Sequence, residues 1–351
     1  MIKQIINITL QTATILSITA CQPNQTNSPT ATVETSIVPT NALATEGAST
    51  SESLPDPAIC FTPQNLTPFA FMPDNKKILV RGILGVQIFD LGEMEGESFS
   101  PAPQNLFAAA LSSDGKLLAW SLDSNTIQLI QVSDGQVLHT LEGHTNSVFK
   151  LRFSPAGDKL FSASHDGSVR IWDTDGNELQ VIETGGEVLG IGISSDGALL
   201  ATIPSDGPVA LWDLTDNTKL GELGGSGGLD TSDAYFSSDG QYLAADLATG
   251  LYLWRLSDRE LIWNEVKNSL AVNFSPDGQF LAYANAEDNK VTLSSPDGKQ
   301  IIRRLEGTPG PIWELIFSPD GSLLAATDGR ELRIWQTEDG NLLYIGKASC
   351  P

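Results

Sequence analysis

One short turn, an apolar residue followed by a Ser-Pro-Asp-Gly-like run, returns seven times along this chain and limits what it can fold into. The copies begin at Phe71 (FMPDN), Leu111 (LSSDG), Phe153 (FSPAG), Ile193 (ISSDG), Phe236 (FSSDG), Phe274 (FSPDG) and Phe317 (FSPDG). Successive copies lie between 38 residues apart (Phe236 to Phe274) and 43 apart (Ile193 to Phe236), a period that belongs to repeat architectures. In the fullest copy, Phe149, Leu151 and Phe153 alternate with Lys150 and Arg152, as the period of two of a strand requires. Ser154 to Asp158 breaks the alternation, with Pro155 fixing φ and Gly157 tolerating positive φ. A second strand ends at His165-Asp166-Gly167, and a third, Val169 to Trp172, closes on Asp173. Third-strand endings follow every turn in register: VQIFD (86–90), IQLIQ (127–131), VRIWD (169–173), VALWD (209–213), LYLWR (251–255), VTLSS (291–295) and LRIWQ (332–336).

With Gly143-His144 before it and Trp172-Asp173 at its end, this unit resembles a WD40 repeat. Only the third and fourth copies keep Trp-Asp; the fifth and seventh keep Trp alone, and the first has Phe89-Asp90. The resemblance implies blades of four antiparallel strands. One such sheet cannot bury both faces by itself, whereas several arranged radially bury each against its neighbours. Seven units therefore predict an all-β fold, a seven-bladed β-propeller over residues 58–351. A composition of 40% apolar and 18% charged residues suits such a body, and 32 glycines with 19 prolines supply its turns.

The first 57 residues read differently. Lys3 leads into an apolar stretch from Ile5 to Leu16, too short to span a bilayer, and residues 1–20 have the shape of an export signal. Ile18-Thr19-Ala20-Cys21 resembles a bacterial lipobox, which implies cleavage before Cys21 and a lipid on its thiol; the alternative is an ordinary signal with a chance cysteine. Residues 21–57, rich in Thr, Ser, Pro, Asn and Ala, carry too little apolar surface to offset chain entropy and are expected to form a disordered tether. As a coil this segment spans roughly 30–35 Å. The expected location is the cell envelope, outside the cytoplasm, with the membrane reached through the lipid alone. A formal charge of −23 argues against nucleic acid, whose phosphates need Lys and Arg, and biases the surface toward cationic partners.

The last unit supplies its own outer strand, residues 341–346, and the first begins with its innermost strand near Leu66, so no strand is expected to cross the seam. With Cys21 assigned to lipid, Cys60 and Cys350 flank the ring on either side of that seam. Export favours oxidation, so a Cys60–Cys350 disulfide is expected, against the alternative of two free thiols.

No catalytic residue, metal site or cofactor is expected. The WD40 resemblance implies that His144, Asp166 and Trp172, with Ser162 or Ser164, form a structural hydrogen-bond network. His139 and His165 share no metal-ligand spacing with other His or Cys residues. Asp173-Thr174-Asp175-Gly176-Asn177 looks like the start of a calcium loop, but it is the hairpin turn that recurs at Asp134-Gly135, Asp297-Gly298 and Asp339-Gly340. Gly224 to Gly228 lacks the Lys-Ser/Thr of a nucleotide loop. Four residues before each turn anchor stand Thr67, Phe107, Phe149, Leu189, Ser232, Leu270 and Trp313. By the resemblance these approach the mouth of the central channel, a peptide-docking surface in the family, and His165 shares that face. Phe107, Phe149, His165 and Trp313 are thus the candidate partner-binding residues; the alternative is that they pack against the next blade. The expected function is a monomeric, non-enzymatic scaffold for a protein or peptide. The competing reading is a propeller enzyme or small-ligand binder that uses the channel.

Overall fold

A computed structural model describes residues 59–60, 67–82, 85–93, 95–98, 106–122, 125–225, 233–264, 271–285 and 287–347. Seven sheets, each built on four antiparallel strands and one of them with a fifth strand added, form a seven-bladed propeller, with no helix among the described residues. Blade one covers residues 67–98, blade two 108–141, blade three 148–183 and blade four 188–222. Blade five covers 233–263, blade six 272–305 and blade seven 314–347. Each sheet is laid down in chain order, from an inner strand at the channel to an outer strand at the rim.

The recurring turn is a backbone device. Its Gly residues (115, 157, 197, 240, 278 and 321) hold φ between 69° and 75°, a region that costs a Cβ-bearing residue energy. Blade one uses Asn75 there, at φ 58°, the residue type that best tolerates that region after glycine. The leading serine hydroxyl donates to the turn aspartate, as in Ser112 to Asp114 (2.7 Å) and Ser275 to Asp277 (2.6 Å). The same oxygen accepts the N–H five residues on, Leu117 and Phe280 respectively, at 2.9 and 2.8 Å. Blade three has Ala156 in the aspartate place, and Ser154 reaches Asp158 instead, at 2.7 Å.

Apolar residues from facing blades meet in seven separate cores, one between each neighbouring pair. Blades two and three share Ile127, Leu129, Leu151, Leu160 and Trp172. The seam is packed the same way: Phe71, Ile78, Val80 and Phe89 of blade one meet Ile316, Leu332 and Ile334 of blade seven. Each such side chain contributes about 1.5–3 kcal/mol on burial.

The seam also carries a strand that the sequence reading did not anticipate. Ile59–Cys60 pairs in parallel with the outer strand Leu342–Lys347, placing Ile59 opposite Gly346 and Cys60 opposite Lys347. Blade seven thus has five strands, and the expectation of no strand across the seam is corrected. Two residues are too few to show any periodicity, and their partner lies at the far end of the chain. Cys21, Cys350 and the side chain of Cys60 lie outside the described residues, so the expected lipid and disulfide do too.

Blade four has glycine at 190 and 192 on its inner strand, between the residues that pack outward. A Cβ on Gly192 would stand 2.6 Å from the carbonyl oxygen of Ala234 in blade five. The two blades approach through backbone at this point. Gly192→Ala is expected to destabilise the protein by about 1–3 kcal/mol through overpacking. A lower urea midpoint at unchanged slope checks this.

Candidate functional site: the channel and its mouth

Blade three is held by a chain of four polar side chains. His144 Nδ1 lies 2.8 Å from Asp166 Oδ2, and His144 Nε2 lies 2.8 Å from Ser162 Oγ. Trp172 Nε1 donates to the same serine oxygen at 2.9 Å. A carboxylate only accepts, so the imidazole donates from Nδ1, and in the neutral ring Nε2 is left to accept the Ser162 proton. Burial holds His144 below the ordinary histidine range, against the pull of Asp166. Burial works to raise Asp166 as well, but hydrogen bonds from Ser168, the Thr145 N–H and His144 hold it at about 2. Every polar atom of this chain is engaged within the blade. Other blades have shorter versions: Trp212 donates to Thr202 at 3.0 Å, while Trp254 Nε1 is buried without a partner.

The mouth residues fall into two groups. Phe149 is skipped by the strand ladder, since Val148 pairs with Ser164 and Lys150 with Ala163. This bulge takes Phe149 out of the alternation with Leu151 and Phe153 and re-aims its ring. The ring stacks on His165 at 3.8 Å between centroids, 12° from parallel, and lies 5.5 Å from the ring of Phe107. His165 therefore backs the row, with its Nε2 enclosed and unpaired. Trp313 stands apart from that row, 54% exposed, beside a recess lined by Lys150, Asp233 and Glu314. Leu189 does not reach the mouth; it is buried. Thr67 lines the channel, while Ser232 and Leu270 lie outside the described residues.

Below the mouth, a cavity of about 400 Å³ runs between the inner strands, and its polar residues were not foreseen from sequence. Arg81, Lys150, Arg152, Asp233, Tyr235 and Glu314 line it. Arg152 of blade three reaches past blade four to Asp233 of blade five, at 2.6 Å, and also donates to the Ile191 carbonyl at 2.9 Å. The glycines at 190 and 192 leave blade four without side chains in that path. The Arg152 guanidinium also sits over the Tyr235 ring, 4.6 Å from its centroid. Lys150 is 3.4 Å from the same Asp233 oxygen. Behind them Asp246 accepts the Asp233 N–H at 2.6 Å.

Burial alone would lower Arg152, but the charge of Asp233, helped by Tyr235 and Glu314, holds it above its ordinary value. Burial, then Asp233, pushes Asp246 well above the carboxylate range. Burial raises Glu314, while Lys150 and Arg81 pull it back. Burial lowers Arg81, and Glu314 offsets this in part. The available signal was the polar residue alternating with the outward-packing ones, at 150, 152, 233 and 314. Among the described residues, no three His, Cys, Asp or Glu side chains are grouped to hold a metal ion.

Two stretches, residues 135–173 and 299–336, match the WD40 family (WD domain, G-beta repeat). Each begins near the outer strand of one blade and ends with the third strand of the next, so the family's unit is offset from the blade. The chain is 27% identical over 233 residues to autophagy-related protein 16 of Arabidopsis thaliana, covering 64% of this chain and 46% of that protein. It is 32% identical over 142 residues to an uncharacterized WD repeat-containing protein of Synechocystis sp., covering 39% and 40% respectively. With the COMPASS component SWD3 of Saccharomyces cerevisiae it shares 29% identity over 146 residues, covering 40% and 46%. The chain spans less than half the length of each of these relatives. The fold defines the class, a seven-bladed propeller, and two of its stretches match the WD40 repeat.

The state of Asp246 sets a pH dependence. Its folded pKa is raised, so its burial costs nothing below the unfolded value near 4 and costs stability as pH rises from there toward the folded value. Asp246→Asn keeps the oxygen that accepts the Asp233 N–H and removes the ionisation. The variant is expected to melt above wild type at pH 7, with the gain shrinking toward pH 4 in thermal unfolding.

Proposed function

We propose that this protein is an exported lipoprotein, held at the cell envelope through Cys21, whose propeller is a non-catalytic scaffold for a protein or peptide partner. The carrying observation is where large apolar side chains are exposed. Val137, Leu179, Leu220, Leu261, Ile301 and Ile302 all stand on outer strands at the rim, scattered over blades two to six. Phe107, 37% exposed, and Trp313 stand instead just before inner strands, with Phe149 beside Phe107 and His165 stacked on Phe149. Exposed aromatics around a concave mouth are the residue types that anchor partners. The polar groups most suggestive of chemistry, His144, Asp166 and Ser162, are occupied in holding a blade. A relative named as a COMPASS component fits a part in an assembly. The domain acts as a monomer, and its acidic surface favours a partner with basic residues around an apolar anchor.

Affinity capture from envelope extracts tests the docking face. Phe149→Ala combined with Trp313→Ala should lower recovery of a specific partner at least tenfold, and unchanged recovery would refute the face. Anchor and bridge are checked together by mass spectrometry of non-reduced digests from the membrane fraction. The expected result is a lipid on Cys21 and one peptide pair joined through Cys60 and Cys350; unmodified Cys21 or free thiols at both other positions would remove the corresponding element.

A further inference from the structure

The channel has opposite charges on facing walls that do not meet. Arg152 and Asp233 are paired, but three neighbours are not served in this way. Arg81, from the second strand of blade one, spends a donor on the Phe107 carbonyl and makes no ion pair with any described residue. Lys150 reaches Asp233 only at 3.4 Å, on an oxygen that Arg152 already holds. The carboxyl of Glu314, on blade seven, makes no hydrogen bond or ion pair with any described residue, although Lys150, Arg81 and Arg152 all lie within range of its field. The space between these groups is the cavity of about 400 Å³, a volume typical of small-molecule sites. Alanines at 70, 108 and 110 open it on the side of blades one and two, and Phe69, Leu111, Phe149 and Ile193 give it apolar wall.

Recessed charges without partners are costly, and the cost falls when a ligand supplies the missing counter-charge. Three cations, Arg81, Lys150 and Arg152, line the cavity against two carboxyls, Asp233 and Glu314, so the missing group is an anion. Arg81 offers the planar fork that matches a carboxylate, and Lys150 a point charge on the wall of the same cavity. A dianion would meet Asp233 and Glu314 at close quarters, which favours a single negative charge. The apolar wall calls for a body of a few carbons.

We infer that the central channel binds a small carboxylate with an apolar body, its carboxylate held between Arg81 and Lys150 and its carbons against Phe69, Phe149 and Ile193. This site goes beyond the docking face, because it recognises one small carboxylate group inside the channel rather than a partner's surface. The carboxylate has two sources: a free acid, or the C-terminal carboxylate of a docked peptide.

Isothermal titration of the full chain with isovalerate and phenylacetate tests the site. The corresponding amides and methylguanidinium serve as controls. A second arm uses a short peptide ending in a free leucine carboxylate, against the same peptide amidated. Saturable binding of the free acids, at least tenfold tighter than their amides, supports a free-acid site. Binding confined to the peptide acid supports the same site with the partner as source. Arg81→Gln should weaken either by at least tenfold, and Arg81→Lys should restore part of the loss. Lys150→Gln carries the same expectation if the Arg81 variant does not fold. The inference is overturned if no acid binds, if amides or the cation bind as well as acids, or if a folded Arg81→Gln or Lys150→Gln variant keeps wild-type affinity.

Discussion

Apolar contact between neighbouring blades, repeated around the whole ring, is the interaction on which every other feature depends, because no blade has a core of its own. The Ala, Leu, Ile and Trp residues of each sheet are covered only by the sheets on either side. A propeller missing one contact exposes two apolar faces, so the ring must close or lose its reason to form. Blade one meets blade seven through Phe71, Phe89, Ile316 and Ile334 as fully as any other pair. The Ser-Asp-Gly turns serve that packing by fixing the length at which each inner strand gives way to the second.

Closure has a polar consequence at the axis. Seven inner strands converge there, and whatever they point inward has only the opposite blades for company. Blades one, two and four answer with small residues, Ala70, Ala108, Ala110, Gly190 and Gly192. Blades three, five and seven answer with charge. The glycines let Arg152 and Asp233 join across an intervening blade, and the alanines leave room in front of Arg81. The channel is thus asymmetric, one side braced by an ion pair and the other open, although the ring that makes it is built from copies of one unit.

Much of this was readable in the chain. Turn spacing gave blade number and register, since every turn has the same backbone requirement and only a few residues meet it. The His144 network was readable too, because its members lie within one repeat. The charged channel was not. Alternation shows that Lys150 faces away from Leu151, but its partner Asp233 is 83 residues distant, and only ring closure brings the two together. Phe149 was half-read: its place four residues before the anchor pointed to the mouth, while strict alternation put it in the core. The bulge after Val148 decided between them. Leu189 has the same bulge and the same place in its repeat, yet is buried, so position within the unit does not alone determine exposure.

The parallel pair between Ile59–Cys60 and Leu342–Lys347 bears on mechanics. The chain enters the ring by lying along the outer edge of blade seven before it begins blade one. Tension applied to the residues ahead of Ile59 therefore loads this two-residue edge before it reaches any inter-blade core. The edge is a shallow first yield point set in series with a deep one, and peeling it leaves all seven cores intact. A ring assembled this way can be tugged from its leading end without being unwound.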